Sequence, residues 1–402
     1  MKDLSRRSVL SLGAALGLVG VSGVAPAWAW SPSGSVAGTG SGTDPWQVWD
    51  DEADPLVAGL LDDGQVPAVN TAMQSWVNNG DPLPSGLPAE LTAYLRQVNA
   101  LPSWADPAKL SLAADFNRRM SGYLFMLYSL GSGIMSTVIP NEARNVYYSA
   151  GGADMKARAA KTFTFGYDLS ALNAFDRDGH FVVTANKTRL VHAAVRHLLP
   201  QSRQWESVTA EQTPISNGDI LVTFHSLGTY AHRRLLDWHI PMSTADEDAY
   251  LHSWQVALHL LGVRDEFIPK SWADADAQSA QVLTPILAPT PQGIELAQTL
   301  LGLINQVSLG VTTGFVDEYV RYVLSNEIGD WLELPRDYLS AGLISVGWPA
   351  YVAFREALSP VLPAEFGLFD GFVRGVAMLY LNNGTSPTYT PITLPTANRP
   401  GA

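Results

Sequence analysis

The 402-residue chain predicts an all-α fold. Segments rich in Ala, Leu, Arg and Lys follow one another for most of its length, and Pro falls at their joints, as at Pro200, Pro214, Pro241, Pro269 and Pro289. Strand-like alternation stays short, as at Thr162 to Phe165 and His180 to Val183. In order, helices are expected over 57–61, 69–78, 89–99, 107–130, 141–149, 153–167 and 188–199, the last stopped by Pro200. The second half continues with 217–238, 246–261, 272–287, 293–306, 312–324, 349–358 and 365–381. Ser243 to Glu247 is a candidate capping box for the 246–261 helix.

Ahead of these helices, residues 1–29 read as a twin-arginine signal peptide. Arg6-Arg7 precedes an apolar run from Val9 to Val24, and Ala27-Trp28-Ala29 is a small-x-small cleavage site. An uncleaved anchor helix is the alternative. Residues 30–55, with Ser, Gly and Asp between Trp30, Trp46 and Trp49, read as an extended arm pinned by its aromatics. Neither a repeat nor a convincing linker divides the rest, so 56–384 is expected to be one domain and 385–402 a Pro/Thr-rich tail.

With 47% hydrophobic and 16% charged residues, the composition is that of a compact globular enzyme. The formal charge is −13, and loss of the leader, with Lys2, Asp3, Arg6 and Arg7, makes it more negative. Nucleic acid and anionic lipid are therefore poor partners, and we expect no membrane association after export and a monomeric chain. Absence of cysteine excludes disulfides, zinc-thiolate sites, iron-sulfur clusters and covalently attached c-type haem.

Two helices concentrate unusual chemistry. On the first, Arg158, Lys161 and Thr162 stand at i, i+3 and i+4 and share a face; on the second, Arg189, His192 and Arg196 stand at i, i+3 and i+7. Leu190, Val191, Ala194, Val195 and Leu198 take the opposite side, so the basic stripe is expected to face solvent or something anionic. Spacing alone favours a merely solvated face and a structural histidine. Electrostatics point further: the flanking Arg189 and Arg196 would keep His192 neutral, leaving a lone pair for a metal. Lys161, with Lys156 and Arg158 near and Phe163 and Phe165 following, would lose its proton readily and become a second possible ligand. Glu142, after Pro140 and an apolar helix, is either a solvated carboxylate of a first turn or a desolvated general base. The apolar runs Tyr123 to Met135 and Leu296 to Leu309 are ordinary core helices or the walls of an apolar channel.

Other constellations are weak. Phe224-His225-Ser226-Leu227-Gly228 lacks the first Gly of a hydrolase elbow, and no HExxH, Glu-x-x-His pair or phosphate-binding loop is present. His252 and His259, seven apart beside Trp254 and Leu258, read as core or rim histidines.

The combination PNEARN, MKARAAKT and TRLVHAAVRHLLP, with Leu261-Gly262-Val263-Arg264 to Pro269 and the twin-arginine leader, resembles the latex clearing proteins, bacterial rubber oxygenases. The resemblance extends from about residue 56 to 385. It implies a non-covalent haem b in a globin-like helical core with extra helices around it. The implied reaction adds dioxygen across double bonds of poly(cis-1,4-isoprene), giving aldehyde and ketone ends. It further implies His192 as proximal iron ligand, Lys161 as distal ligand in a closed state, Glu142 as base toward an allylic hydrogen, and Arg158 and Thr162 as holders of the haem. Two other readings stay open: a non-enzymatic haem or dioxygen binder, and a cofactor-free secreted hydrolase.

Overall fold

The computed structural model of the chain describes residues 28–209, 213–307, 312–358, 363–384 and 390–400. The expected signal peptide lies outside these residues apart from Trp28 and Ala29, as does part of the tail. Among the described residues there are helices and no strand, only the isolated bridges Ser35 with Pro269 and Ser149 with Asn398. The fold is all-α.

The helices that position the site are α1 (Ala53–Asp62), α2 (Pro107–Arg119), α3 (Ser121–Met126), α4 (Pro140–Tyr148), α5 (Met155–Leu169) and α6 (Phe181–Leu198). They are followed by α7 (Asn217–Phe224), α8 (Thr244–Leu260), α9 (Pro291–Val307), α10 (Thr313–Val323), α11 (Tyr338–Leu358) and α12 (Pro363–Leu381). The main core gathers Phe116, Phe181, Phe224, Trp254 and Tyr319 from five of them, with Leu127 from the segment that follows α3. A second core, around Val57, Trp76, Leu91 and Leu190, locks α6 onto α1. Here the chain ahead of residue 56 is well tied: Trp30 donates its indole N–H to Glu266 O at 3.2 Å and Trp49 donates to Thr213 O at 3.1 Å.

Caps account for several boundaries. Ser243 and Asp246 form the capping box expected at α8, and Ser216 and Asp219 form another at α7. Asp106 caps α2, with Pro107 in the first turn where its missing N–H costs nothing.

Three expectations need correction. The 107–130 helix is broken at Met120 between α2 and α3. The two short stretches of alternation are helical, in keeping with the all-α class: they lie in α5 and at the start of α6, where Phe165 packs against Phe181. Helix α6 begins seven residues before the expected Thr188. Pro349, expected to open a helix, lies inside α11, which starts at Tyr338. That Gly- and Ser-containing first half is weak helix on propensity and is held by packing: Ile344 and Val352 are buried, and Trp348 meets Tyr319 of α10 with ring centroids 5.0 Å apart.

After α3 the chain continues as a π-helical segment, Leu127–Ser132, and α7 continues as another, His225–Thr229. The two pack together. Gly131 is required where they meet, since a Cβ there would lie 2.6 Å from the Tyr230 ring. Such wide turns displace side chains from the helical register, and here they turn Leu130, Ser132, Ser226 and Leu227 into a common cavity.

Candidate active site

That cavity has a volume of about 1400 Å³, above the roughly 300–1,000 Å³ usual for small-molecule sites. Glu142, Arg158, Lys161, Thr162 and His192 all line it. The rest of the wall is largely apolar, with Phe125, Leu258, Leu300, Ile304 and Phe315 from four different helices. Both apolar runs singled out in the sequence play two parts. Leu124, Leu127 and Ile134 enter the core while Phe125, Tyr128 and Gly133 face the cavity, and Ala297 and Leu301 enter the core while Leu300 and Ile304 face the cavity.

Residues 392–398 form a further wall, which the sequence left as part of a tail. Leu394 is clamped by Asn70, whose side chain donates to Leu394 O and accepts from Leu394 N, both at 2.9 Å. Asn398 donates to Leu198 O at 2.7 Å, and Arg399 N–H donates to Tyr148 O at 3.0 Å.

The basic stripe of α6 does not face solvent. Arg189 is bidentate to Asp50, at 2.6 and 2.8 Å, and reaches Glu52 at 3.0 Å; Arg196 pairs with Asp54 at 2.7 Å and donates to Ile215 O at 3.0 Å. The anion is thus the chain's own acidic run beside α1, which the sequence reading did not link to α6. His192, between these arginines on the helix, faces the cavity. Burial first, then the charges of Arg196 and Arg158, push its imidazole down to about 3, so it is neutral at any ordinary pH. The second cation is Arg158 from the facing helix rather than the expected Arg189, which Asp50 already satisfies. His192 Nδ1 is buried with no hydrogen-bond partner among the described residues.

Arg158 and Lys161 project from α5. Arg158 makes no ion pair among the described residues, although burial works against its charge and the field of Glu142 supports it. It packs closely on Gly151, where a Cβ would lie 3.0 Å from its side chain. Burial and then the Arg158 charge lower the Lys161 ammonium, whose Nζ donates to Thr393 Oγ1 at 3.3 Å. Lys156 takes no part in this, because it turns away to Asn383 Oδ1 at 2.7 Å and lies over the Tyr380 ring. Thr162 lines the cavity next to Lys161.

Glu142 stands in the first turn of α4, set by Pro140. It is a desolvated group and not a solvated one: burial pushes its carboxyl up to about 7, with Asp219 adding to the rise and Thr223 and Arg158 opposing it. Thr223 Oγ1 donates to Glu142 Oε1 at 2.5 Å. Thr223 and Thr393 are site residues that the sequence did not give up. The Ser-x-x-Asp pattern at Ser216 was a visible marker for the start of α7, but nothing local aims Thr223 at α4.

The remaining constellations resolve as structure. His225 is buried between Thr229 and Gln278, and Ser226 donates to Thr223 O, so no histidine activates that serine. His252 accepts from Asp106 N and His259 pairs with Asp265, both against Trp104. Among the described residues no three His, Asp or Glu converge as they would on a bare metal ion. One neutral imidazole with an unused nitrogen, unpaired cations on the facing helix and a roomy apolar surround fit a metal carried in an anionic macrocycle.

Residues 118–345 match the family described as ER-bound oxygenase mpaB/B'/rubber oxygenase, catalytic domain. Over 409 aligned residues, covering 100% of both chains, the sequence is 48% identical to the rubber oxygenase of Streptomyces sp. (strain K30). The solved structure of latex clearing protein in the closed state is similar with a TM-score of 0.84 at 48% identity, covering 92% of this chain and 100% of that one.

Proposed function

This chain belongs to the rubber oxygenase family, and from that premise we propose that it is a rubber-cleaving oxygenase working with a non-covalent haem b in a helical core of the globin-like kind. Its substrate would be poly(cis-1,4-isoprene), cut at the double bond into fragments with an aldehyde at one end and a ketone at the other. The observation that carries this reading is the neutral His192, its Nδ1 without a hydrogen-bond partner among the described residues, on the wall of a large apolar cavity that Arg158 and Lys161 also line.

His192 would hold the haem iron, and Arg158 and Thr162 would hold the macrocycle's carboxylates. The haem, when bound, supplies the dioxygen chemistry. Lys161 is a candidate second ligand because its ammonium is already disfavoured, and its contact with Thr393 gives it a resting partner on the 390–400 segment. The apolar wall would take the hydrocarbon chain, which offers neither charge nor hydrogen bonds. Glu142, half ionised near neutrality, would accept a proton from an allylic carbon. Both oxygen atoms of dioxygen end in the two carbonyls, so the cleavage consumes no net proton, and Glu142 must return the one it takes.

An insoluble polymer requires an extracellular enzyme, and we assign the chain to export through the twin-arginine route on the strength of residues 1–29. The deciding experiment is a visible spectrum of the purified protein followed by incubation with polyisoprene latex in air. A Soret band and carbonyl-ended oligomers are expected. His192→Ala should lose both together; a fully haem-loaded, active His192→Ala protein would refute the assignment. A haem band without products would leave a dioxygen binder, and a colourless preparation that leaves the polymer uncut would leave a hydrolase acting on some other substrate, since polyisoprene has no bond that water can cleave.

A further inference from the structure

Helix α11 turns an uncharged apolar face to solvent. Tyr338, Leu339, Leu343, Val346, Tyr351 and Phe354 are all exposed, Leu339 by 75% and Val346 by 72%. From Tyr338 to Phe354 there is no charged residue, a stretch of about 25 Å at helical rise. The two charges that follow turn inward. Arg355 is buried and pairs with Asp370 at 2.6 Å, and Glu356 accepts the Tyr123 hydroxyl at 2.8 Å. Of the few polar groups on the outer surface of this stretch, Ser345 donates to Gly342 O at 2.9 Å and the Tyr351 hydroxyl accepts from Arg355 at 3.1 Å. A surface helix ordinarily carries charge on its outer side, and a contiguous apolar patch marks something that covers it.

The inner side of the same helix reaches the cavity wall. Trp348 stacks edge-on against Tyr319 of α10, and Phe315, Val316 and Tyr319 of α10 line the cavity. Patch and cavity are therefore carried by one helix pair.

The chemistry of the face selects its occupant. Membrane-surface helices pair an apolar side with Lys and Arg for lipid headgroups, whereas this chain has a formal charge of −13 and α11 offers no exposed cation over that stretch. No single described helix is long and apolar enough to cross a membrane. A hydrocarbon polymer carries no charge, and contact with it desolvates no charged group on this face. We infer that α11 is the surface by which the enzyme adsorbs to the solid polyisoprene phase, bringing polymer beside the wall of the cavity. This rests on the rubber-cleaving reading, but adsorption is measured without turnover.

The test compares the holoenzyme with its L339S/L343S/V346S/F354S variant. Binding to polyisoprene latex particles is read by depletion under nitrogen, and rates are read in air on latex and on a short, detergent-dispersed isoprene oligomer. The variant should lose at least tenfold in adsorption and in latex rate, with the oligomer rate unchanged within twofold. Unchanged adsorption overturns the inference, and so does an equal loss of rate on oligomer and latex. Parent protein that sediments as a dimer, with a monomeric variant that adsorbs normally, assigns the face to a second copy. Adsorption of the parent to phosphatidylcholine vesicles as strong as to latex assigns it to lipid instead. Should the quadruple variant have a lowered thermal midpoint, the single Val346→Glu change is read in the same way. If the parent adsorbs but releases no carbonyl products from either substrate, the functional reading fails while the adsorbing surface stands.

Discussion

At the scale of single residues, the site is built from groups whose ionisation is set by burial. Glu142, pushed up to about 7, is charged above that pH and protonated below it. If it acts as a base, kcat/KM should fall about tenfold per pH unit below 7, and Glu142→Gln should keep haem while slowing turnover by about 10²-fold or more. Thr223→Val removes a hydrogen bond that favours the carboxylate, so the acid limb of its pH–rate profile should move to higher pH. A limb that stays in place removes Thr223 from this role. His192 and His225 bear on stability, since each is held down to about 3 from an ordinary 6.5, chiefly by burial. The unfolded chain takes up these protons below 6.5 while the folded chain does not. Stability is thus full above 6.5 and is lost as pH falls from there toward 3, by up to about 1.4 kcal/mol per unit per histidine. A thermal midpoint of the haem-free protein that is flat between pH 6.5 and 4 would contradict this.

At the scale of elements, helix α6 explains most of the site and most of the misreading. Its period-correct basic stripe is occupied by Asp50, Glu52 and Asp54 near the start of α1, which fixes the helix in rotation and leaves His192 toward the cavity. The end of α8 closes over the same ion pair. Gly262 has φ +87°, and a Cβ there would come within 2.6 Å of Asp50 and 2.7 Å of Arg189. That gives the Leu261-Gly262-Val263-Arg264 motif a physical reason: only Gly admits both the left-handed turn and the close approach. Asp50→Ala leaves the buried Arg189 with the half-exposed Glu52 in place of its bidentate partner and should cost up to about 3–5 kcal/mol in denaturant unfolding. Gly262→Ala should destabilise as well. A loss below about 1 kcal/mol for Asp50→Ala would mean that the pair does not hold α6.

At the scale of the whole molecule, the cavity is closed by segments that meet far from their places in sequence. The 390–400 segment lies against α4, α5 and α6, fastened by Asn70 through Leu394 and by Tyr148 through Arg399, while its Thr393 receives Lys161. Asn70→Ala removes both bonds to Leu394. Hydrogen exchange over residues 390–400 should then quicken by about tenfold, equivalent to about 1.4 kcal/mol of local opening, with little change in global unfolding. Unchanged exchange would mean that packing of Leu394 alone holds the segment.

The sequence by itself determined the helical class, through propensity and punctuation, and the grouping of Arg158, Lys161 and Thr162 on one face, because helical period is a local property. The desolvated alternative for Glu142 was also within its reach, as was the neutral state of His192. Which charges meet was decided only in three dimensions. Asp50 and Arg189 are 139 residues apart, and Lys161 and Thr393 are 232 apart. Contacts of that separation follow from how helices pack and not from their spacing along the chain. For the same reason α6 reads as a solvated basic helix, although in the fold its arginines are satisfied internally and its histidine is left facing the cavity.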